Sequence, residues 1–162
     1  MPHSDQLPEL LSLGALGGDY QAYEDALYDF YLRDIVRGGL VYRGGAVRVR
    51  RTPEFKGKGA GFWHLTTEGP VEAQRLLDLR RCERLPWIPW VITAAGRSDS
   101  RVRVWSNKRQ GSTNHVLWLW EEDYAVILSE RSHGYLVVSA YVLMPHRVKS
   151  FEREWRQSLQ KS

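Results

Sequence analysis

Between residues 101 and 142 the chain alternates apolar and polar residues in run after run, and the breaks between later runs are short. Side chains alternate across a strand, so each run reads as a strand with one buried face. The runs are Arg101–Trp105, Val116–Trp120, Tyr124–Ser129 and Tyr135–Val142. Short links between the last three favour antiparallel neighbours, because a parallel return needs a crossover of about a dozen residues or more. A chain that commits so much of its length to a meander must cover that sheet with the rest.

Much of the rest is helical in pattern. Tyr20, Tyr23, Leu27, Phe30, Tyr31 and Ile35 recur at helical spacing, with Asp19 placed to cap the start and Gly38-Gly39 to end the helix. Glu24, Asp25 and Asp29 form its solvated side. A second helix is expected from Pro70 through Val71, Ala73, Leu76, Leu77 and Leu79 to Arg81, since proline suits a first turn. A third closes the chain, where Val148, Phe151, Trp155 and Leu159 repeat every three or four residues; His146 lies at its entry.

LVYRGGAVRVR reads as a hairpin turning at Gly44-Gly45, with Val47 and Val49 on one side and Arg48 and Arg50 on the other. After a Gly/Lys loop from Lys56 to Gly61, the run Phe62-Trp63-His64-Leu65 reads as a short strand. Trp87 to Thr93 reads as another, interrupted by Pro89. Residues 1–18 look like a loosely attached, flexible arm. The fold expected is α+β, one domain over residues 19–162. N-terminal helices pack on a twisted, mainly antiparallel sheet of four or more strands, with a helix at the C-terminus.

Composition narrows the function. The net charge of +4 supports a nucleic-acid partner weakly. Cys82 is the only cysteine, which excludes an intrachain disulfide and a cysteine-based zinc site. No run approaches the ~20 apolar residues that cross a bilayer, and MPHSDQLPELL has no basic segment followed by an apolar one. A cytoplasmic chain with no membrane partner is therefore expected. There is no P-loop, GxGxxG, HExxH, GxSxG or EF-hand motif, and the five histidines are widely spaced. No cofactor and no metal are expected.

Chemistry then falls to a few residues. His64 is suited to acid–base work near neutral pH, and Thr66 and Thr67 beside it could bond a phosphate or orient the imidazole. Arg80, Arg81 and Arg84 precede Trp87 and Trp90; guanidinium forks bind phosphate, and tryptophan stacks on unpaired bases. Arg101, Arg103 and Trp105 share one face of a strand, followed by Asn107, Lys108 and Arg109. With Arg48, Arg50, Lys56 and Lys58 these make a recurrent basic and aromatic surface. The seven tryptophans are more than a core of this size ordinarily takes, so several are expected at a surface or cleft. Alternation sets Tyr135, Val137, Ser139 and Tyr141 on an open face near Arg131, with Leu136, Val138 and Ala140 in the core. The competing interpretation of each basic cluster is a solvated face with its tryptophans buried.

FWHLTT, DLRRCERLPWI, RVRVWSNKR, VLWLWEEDYAVILSER and GYLVVSAYVLMPHR, in that order from Phe62 to the C-terminal helix, resemble the phage and prophage branch of the barnase/EndoU/colicin/RelE-like (BECR) nuclease superfamily. The resemblance implies metal-independent RNA cleavage on the sheet's open face, by 2′-hydroxyl attack on the adjacent phosphate, in a toxin or in phage–host conflict. It implies His64 as general base or acid, Arg84 and Arg131 as phosphate clamp, and Thr66 with Ser139 or Tyr141 as positioning groups. The expected substrate is tRNA or single-stranded RNA, and the expected inhibitor an acidic antitoxin or immunity protein. Two other classes remain open. One is a non-catalytic nucleic-acid-binding module. The other is a protein-interaction or inhibitor domain anchored by exposed Trp118 or Trp120.

Overall fold

A computed structural model describes residues 3–68 and 76–161, with the main chain alone at 76 and 77. Asp19 caps α1 (Tyr20–Phe30): its Oδ1 accepts from the amides of Gln21 (2.9 Å) and Ala22 (3.1 Å). The helix continues as a π-helical turn, Tyr31–Val36, and stops before the two glycines. Glycine is needed at Gly38, where a Cβ would stand 2.2 Å from the carbonyl oxygen of Asp34. The hairpin of β1 (Val41–Tyr42) and β2 (Gly45–Val49) turns one residue earlier than the sequence suggests, at Arg43-Gly44, both with positive φ (48° and 80°). Gly45 belongs to the strand instead, paired with Tyr42, and a Cβ there would meet the Tyr135 ring at 3.0 Å.

The Gly/Lys loop is a small hairpin, β3 (Glu54–Phe55) and β4 (Lys58–Gly59), and leads into α2 (Ala60–Thr66). The FWHL run is therefore helical, not a strand. Ala60, Gly61, Phe62, Trp63, Leu65 and Thr66 are all buried, so no polar face marks the helical period. A second small hairpin joins β5 (Thr67–Glu68) to β6 (Leu76–Leu77), and α3 (Leu79–Glu83) follows. Of the helix expected over Pro70 to Arg81, Leu76 and Leu77 are strand and Leu79 to Arg81 are helical, whereas Pro70, Val71 and Ala73 lie outside the described residues. The run read as a strand at Trp87 to Thr93 is α4 (Trp87–Gly96), with Pro86 at the position before its first residue. Pro89 falls in the first turn, where an amide has no intrahelical partner to lose.

The meander is present and longer than expected: β7 (Val102–Arg109), β8 (Ser112–Leu119), β9 (Tyr124–Arg131) and β10 (Gly134–Val142), followed by α5 (Pro145–Gln160). The six-stranded sheet has the order β1-β2-β10-β9-β8-β7, antiparallel except for β2 beside β10. The chain is an α+β fold. On one face α1, its π turn, α2, α3 and α4 enclose the main core, built on residues such as Tyr23, Leu27, Phe62, Ile88, Leu117, Val126 and Leu128. On the other face α5 covers a smaller core of Trp105, Val116, Trp118, Ala125, Leu143 and Phe151. No helix among the described residues is long and apolar enough to cross a membrane.

A β-bulge between Val137 and Ser139 overturns the facing expected for β10. Before it, Tyr135 and Val137 look into the main core; after it, Ala140 and Val142 do, and Ser139 and Tyr141 turn to the α5 side. The N-terminal segment is also unlike the loose arm expected. The Trp87 and Trp90 indoles donate to the carbonyls of Pro8 and Ser4 (2.8 Å each), Arg101 Nη1 donates to that of Asp5 (2.6 Å), and Leu7, Leu11, Leu13 and Leu16 pack on the core.

Two predictions follow from this packing. Arg103 lies over the rings of Trp155 (3.9 Å), Trp120 (4.2 Å) and Trp118 (5.2 Å) and bonds Glu152 (2.7 Å). Arg103→Ala is expected to cost about 2 kcal/mol in urea unfolding, the scale of a desolvated cation–π contact, because Glu152 keeps Arg156 as a second partner. An unchanged midpoint would disprove that role. Hydrogen bonds from Arg101 hold the Asp99 carboxyl down to about 2. A depressed carboxylate stabilises the fold above its unfolded pKa and loses that contribution as pH falls through the folded one. Asp99→Asn should therefore lower the melting temperature at pH 6, and the gap from wild type should close between pH 4 and pH 2.

Candidate nucleic-acid interface

Residues paired across a sheet share a face, so register alone maps the side that carries α5. One row is Tyr141–Ala125–Trp118–Arg103, and the next is Ser139–Ile127–Val116–Trp105. A third is Arg48–Leu136–Ser129–Asn114–Asn107, and beyond it stand Arg131 beside Gly134 and Arg109 beside Ser112. α5 covers the first two rows on the β7–β8 side, where Phe151 meets Trp105 (5.1 Å) and Trp118 (5.8 Å) edge-on. Arg48, Asn114 and Asn107 of the third row and the arginines beyond it keep solvent exposure, while Ser129 between them is buried. Arg48, Arg109 and Arg131 are exposed, and Arg131 Nη1 donates to Ser129 Oγ (2.6 Å) and to the Glu130 carbonyl (3.1 Å).

Two clefts adjoin this open half, and Tyr141 lines both. The first runs under α5 between Asn107, Arg109, Asn114, Arg147 and Glu154. Asn107 Oδ1 is buried there with no hydrogen-bond partner among the described residues, an acceptor ready for a donor from outside. The second, of about 200 Å³, lies at the edge of β10 between Glu68, Asp78, Arg80, Arg81, Val142 and Met144. β2 pairs with β10 only as far as Val137, so from the bulge onward this edge is free for α2 and α3. Asp78 caps α3 by accepting from the amides of Arg80 (3.0 Å) and Arg81 (3.3 Å). The Arg81 guanidinium is set by three contacts: Asp78 (3.5 Å), the His64 carbonyl (3.0 Å) and the Tyr141 ring (5.9 Å).

The residues singled out from sequence therefore divide. Arg48, Arg80, Arg81, Arg109, Arg131, Ser139 and Tyr141 come together on the open face or in its clefts. Others are used by the fold. Thr66 is fully buried, its hydroxyl on the Phe62 carbonyl (2.8 Å), so it cannot touch a substrate. Trp105 is covered by α5, and Arg103 is enclosed as described. Arg101 ties the N-terminal segment to Asp99. Lys58 is turned back to Glu24 (3.5 Å) and the Tyr28 ring, and Lys56 sits over Phe55. Arg84 bonds the Arg80 carbonyl (3.2 Å) and lies over Trp87. Lys108 alternates to the opposite face from Arg109, and Arg50 is exposed just past β2. Trp63, Trp87, Trp90, Trp105 and Trp118 are buried and Trp120 and Trp155 half-buried, so the expected tryptophan stacking platform and the exposed Trp118 or Trp120 anchor are both absent. His64 is half-buried on α2 and is not among the described residues lining either cleft.

A histidine–carboxylate pair does exist elsewhere. His115 Nε2 lies 2.7 Å from Glu130 Oε1, between the edges of Tyr42 and Tyr135. Hairpin pairing carries the signal, since β8 and β9 place Glu130 one diagonal step from His115. It sits on the helix-covered face, away from the arginines. Among the described residues no group of three or more His, Cys, Asp or Glu converges as a metal site. Compared with family models, curated proteins and solved structures, the chain matches none.

Behind the second cleft, Cys82 is fully buried, with its Sγ 3.3 Å from the Thr66 carbonyl. Burial, and then the charges of Asp78 and Glu83, push its thiol up to about 12. Iodoacetamide at pH 8 should label it at least about a hundredfold more slowly than a free thiol, because the thiolate is the nucleophile. Rapid labelling of the folded chain would show that α3 opens.

Proposed function

We propose that the chain binds RNA along the open half of the sheet and cleaves it beside Tyr141 without a metal. The observation that carries this reading is the register-fixed set of cations, Arg48, Arg131 and Arg109, around an amide and hydroxyl floor that leads to the Arg81–Tyr141 contact. Guanidinium groups spaced over a polar sheet bind phosphate in succession and carry no side chain that selects a base. Cleavage by the 2′-hydroxyl needs a base for that proton, a cation for the charge on the attacked phosphate, and an acid for the leaving 5′-oxygen. Arg81 supplies the cation and Tyr141 the proton donor. His64 is the base in this reading, on the helical turn whose carbonyl Arg81 holds. The resemblance to BECR nucleases supports the same chemistry. The placement of His64 outside the described cleft lining favours a second reading, binding without cleavage.

One experiment separates them. End-labelled single-stranded RNA and total tRNA are incubated with the full chain in EDTA over a salt series. Cleavage to 2′,3′-cyclic phosphate ends is expected, reduced about 100-fold in Tyr141→Phe and in His64→Ala with binding unchanged. Arg48→Ala and Arg131→Ala should each lower the slope of log affinity against log salt by about 0.7. Salt-sensitive binding without cleavage by wild type would leave the binding module. Neither binding nor cleavage would sink both.

A further inference from the structure

We infer that the groove between α4 and the end of the π-helical turn is a binding site for an amphiphilic anion, a molecule with an apolar body and one acidic head. This site is independent of the RNA reading. Its volume, about 690 Å³, falls in the range of small-molecule sites. The floor is Pro86, Pro89, Trp90 and Thr93 of the α4 region, and one wall is Phe30, Leu40 and Val41. The N-terminal segment, from His3 to Pro8, makes the other.

The groove cannot close by collapse. The Trp90 ring is fixed between Arg101 (4.9 Å) and His3 (5.3 Å), and its indole N–H is engaged by Ser4. On the opposite wall Gly38 is seated against the Asp34 carbonyl, and Gly39 has φ 65°. Of the apolar wall, Phe30 and Leu40 are packed against the main core, and Val41 is β-branched and held in β1. Water there meets mostly proline, aliphatic and aromatic surface, so an apolar occupant replaces it at a gain.

The charge at the rim selects the head group. Asp34 is neutralised by Arg33, which holds it through Nη2 (2.9 Å) and Nε (3.1 Å). Arg37 and Arg97 also line the groove, both exposed and with no ion pair among the described residues. Burial and the neighbouring Arg97 lower the His3 pKa below the usual imidazole value, so His3 adds no charge near pH 7. The groove thus holds two uncompensated guanidinium groups above an apolar floor. A carboxylate with an aliphatic or aromatic body answers both features, whereas a phosphate backbone has nothing to place on Pro86, Pro89 and Val41.

The test uses the full chain with anilinonaphthalene sulfonate, an anionic probe that fluoresces in apolar surroundings, and decanoate as competitor. Saturable one-site binding is expected, displaced by decanoate and not by decyltrimethylammonium. Arg37→Gln/Arg97→Gln should weaken it about tenfold or more, the loss of a charge-assisted contact. Thr93→Trp, which fills the floor, should do the same. Both variants should keep the wild-type RNA affinity, and melting temperature reports whether each folds. Unchanged affinity in the double variant, equal displacement by the cationic surfactant, or no saturable binding would each overturn the proposal.

Discussion

The extra residue in β10 controls more of this molecule than any single contact. Without the bulge between Val137 and Ser139, Tyr141 would follow Tyr135 and Val137 into the main core, and Ala140 would be left on the outer face. With it, β10 completes the core with Ala140 and Val142 and presents Ser139 and Tyr141 to the other side. The bulge also coincides with the end of β2, so the outer edge of β10 passes from a strand partner to helices exactly where the facing changes. That is how α3 can bring Arg81 to Tyr141 around the sheet's edge rather than across its face. A bulge at such a position re-aims a side chain, and here the re-aimed side chain separates the two clefts.

The half-cover by α5 is the second constraint. Phe151 inserts between Trp105 and Trp118, and Arg103 fills the remaining space as a cation among three indoles. A longer cover would hide Asn107 and Asn114; a shorter one would expose Trp105 and Trp118. The division also explains why a modest net charge can matter. Arg101, Arg103, Arg33 and Lys58 are matched by Asp99, Glu152, Asp34 and Glu24, whereas Arg48 and Arg109 have no ion pair among the described residues and Arg131 is held through neutral oxygens. Part of the excess charge therefore stands on the open rows.

Most of the sheet was legible in sequence because its strands alternate and its turns are short, and α1 and α5 because each keeps one polar face. α2 and α4 were not. Both are buried nearly all round, and a helix without a polar side looks like a buried strand in any window of that length. Pro89 compounded the error for α4, since proline counts against a mid-helix position but not against a first turn. For the site, alternation correctly placed Arg103 and Trp105 on one face but could not show that α5 lies on it. Arg48, Arg131, Ser139 and Tyr141 were recognisable as candidates, the last two for a facing that parity alone gave correctly only because a bulge offset the misplacement of Tyr135 and Val137. Arg81 was a candidate too, but its partner needed the tertiary fold, because the contact with Tyr141 spans sixty residues of sequence in a single guanidinium–ring approach.

The two sides of the sheet also differ in what a histidine can do there. His115 is nearly excluded from solvent, clasped by Glu130 and two tyrosine rings under the helical layer, and its Nδ1 has no partner among the described residues. That arrangement orients an imidazole but gives a substrate no route to it. The open face has the cations and the route, with His64 joined to it through the main chain. The His115–Glu130 pair and the open arginine rows lie on opposite faces of the sheet, so the pair cannot serve a reaction on those rows. In the proposed reading the acid–base chemistry therefore falls to the β10 edge, where Arg81, Tyr141 and the helical turn of His64 meet; in the alternative reading the face binds without cleaving.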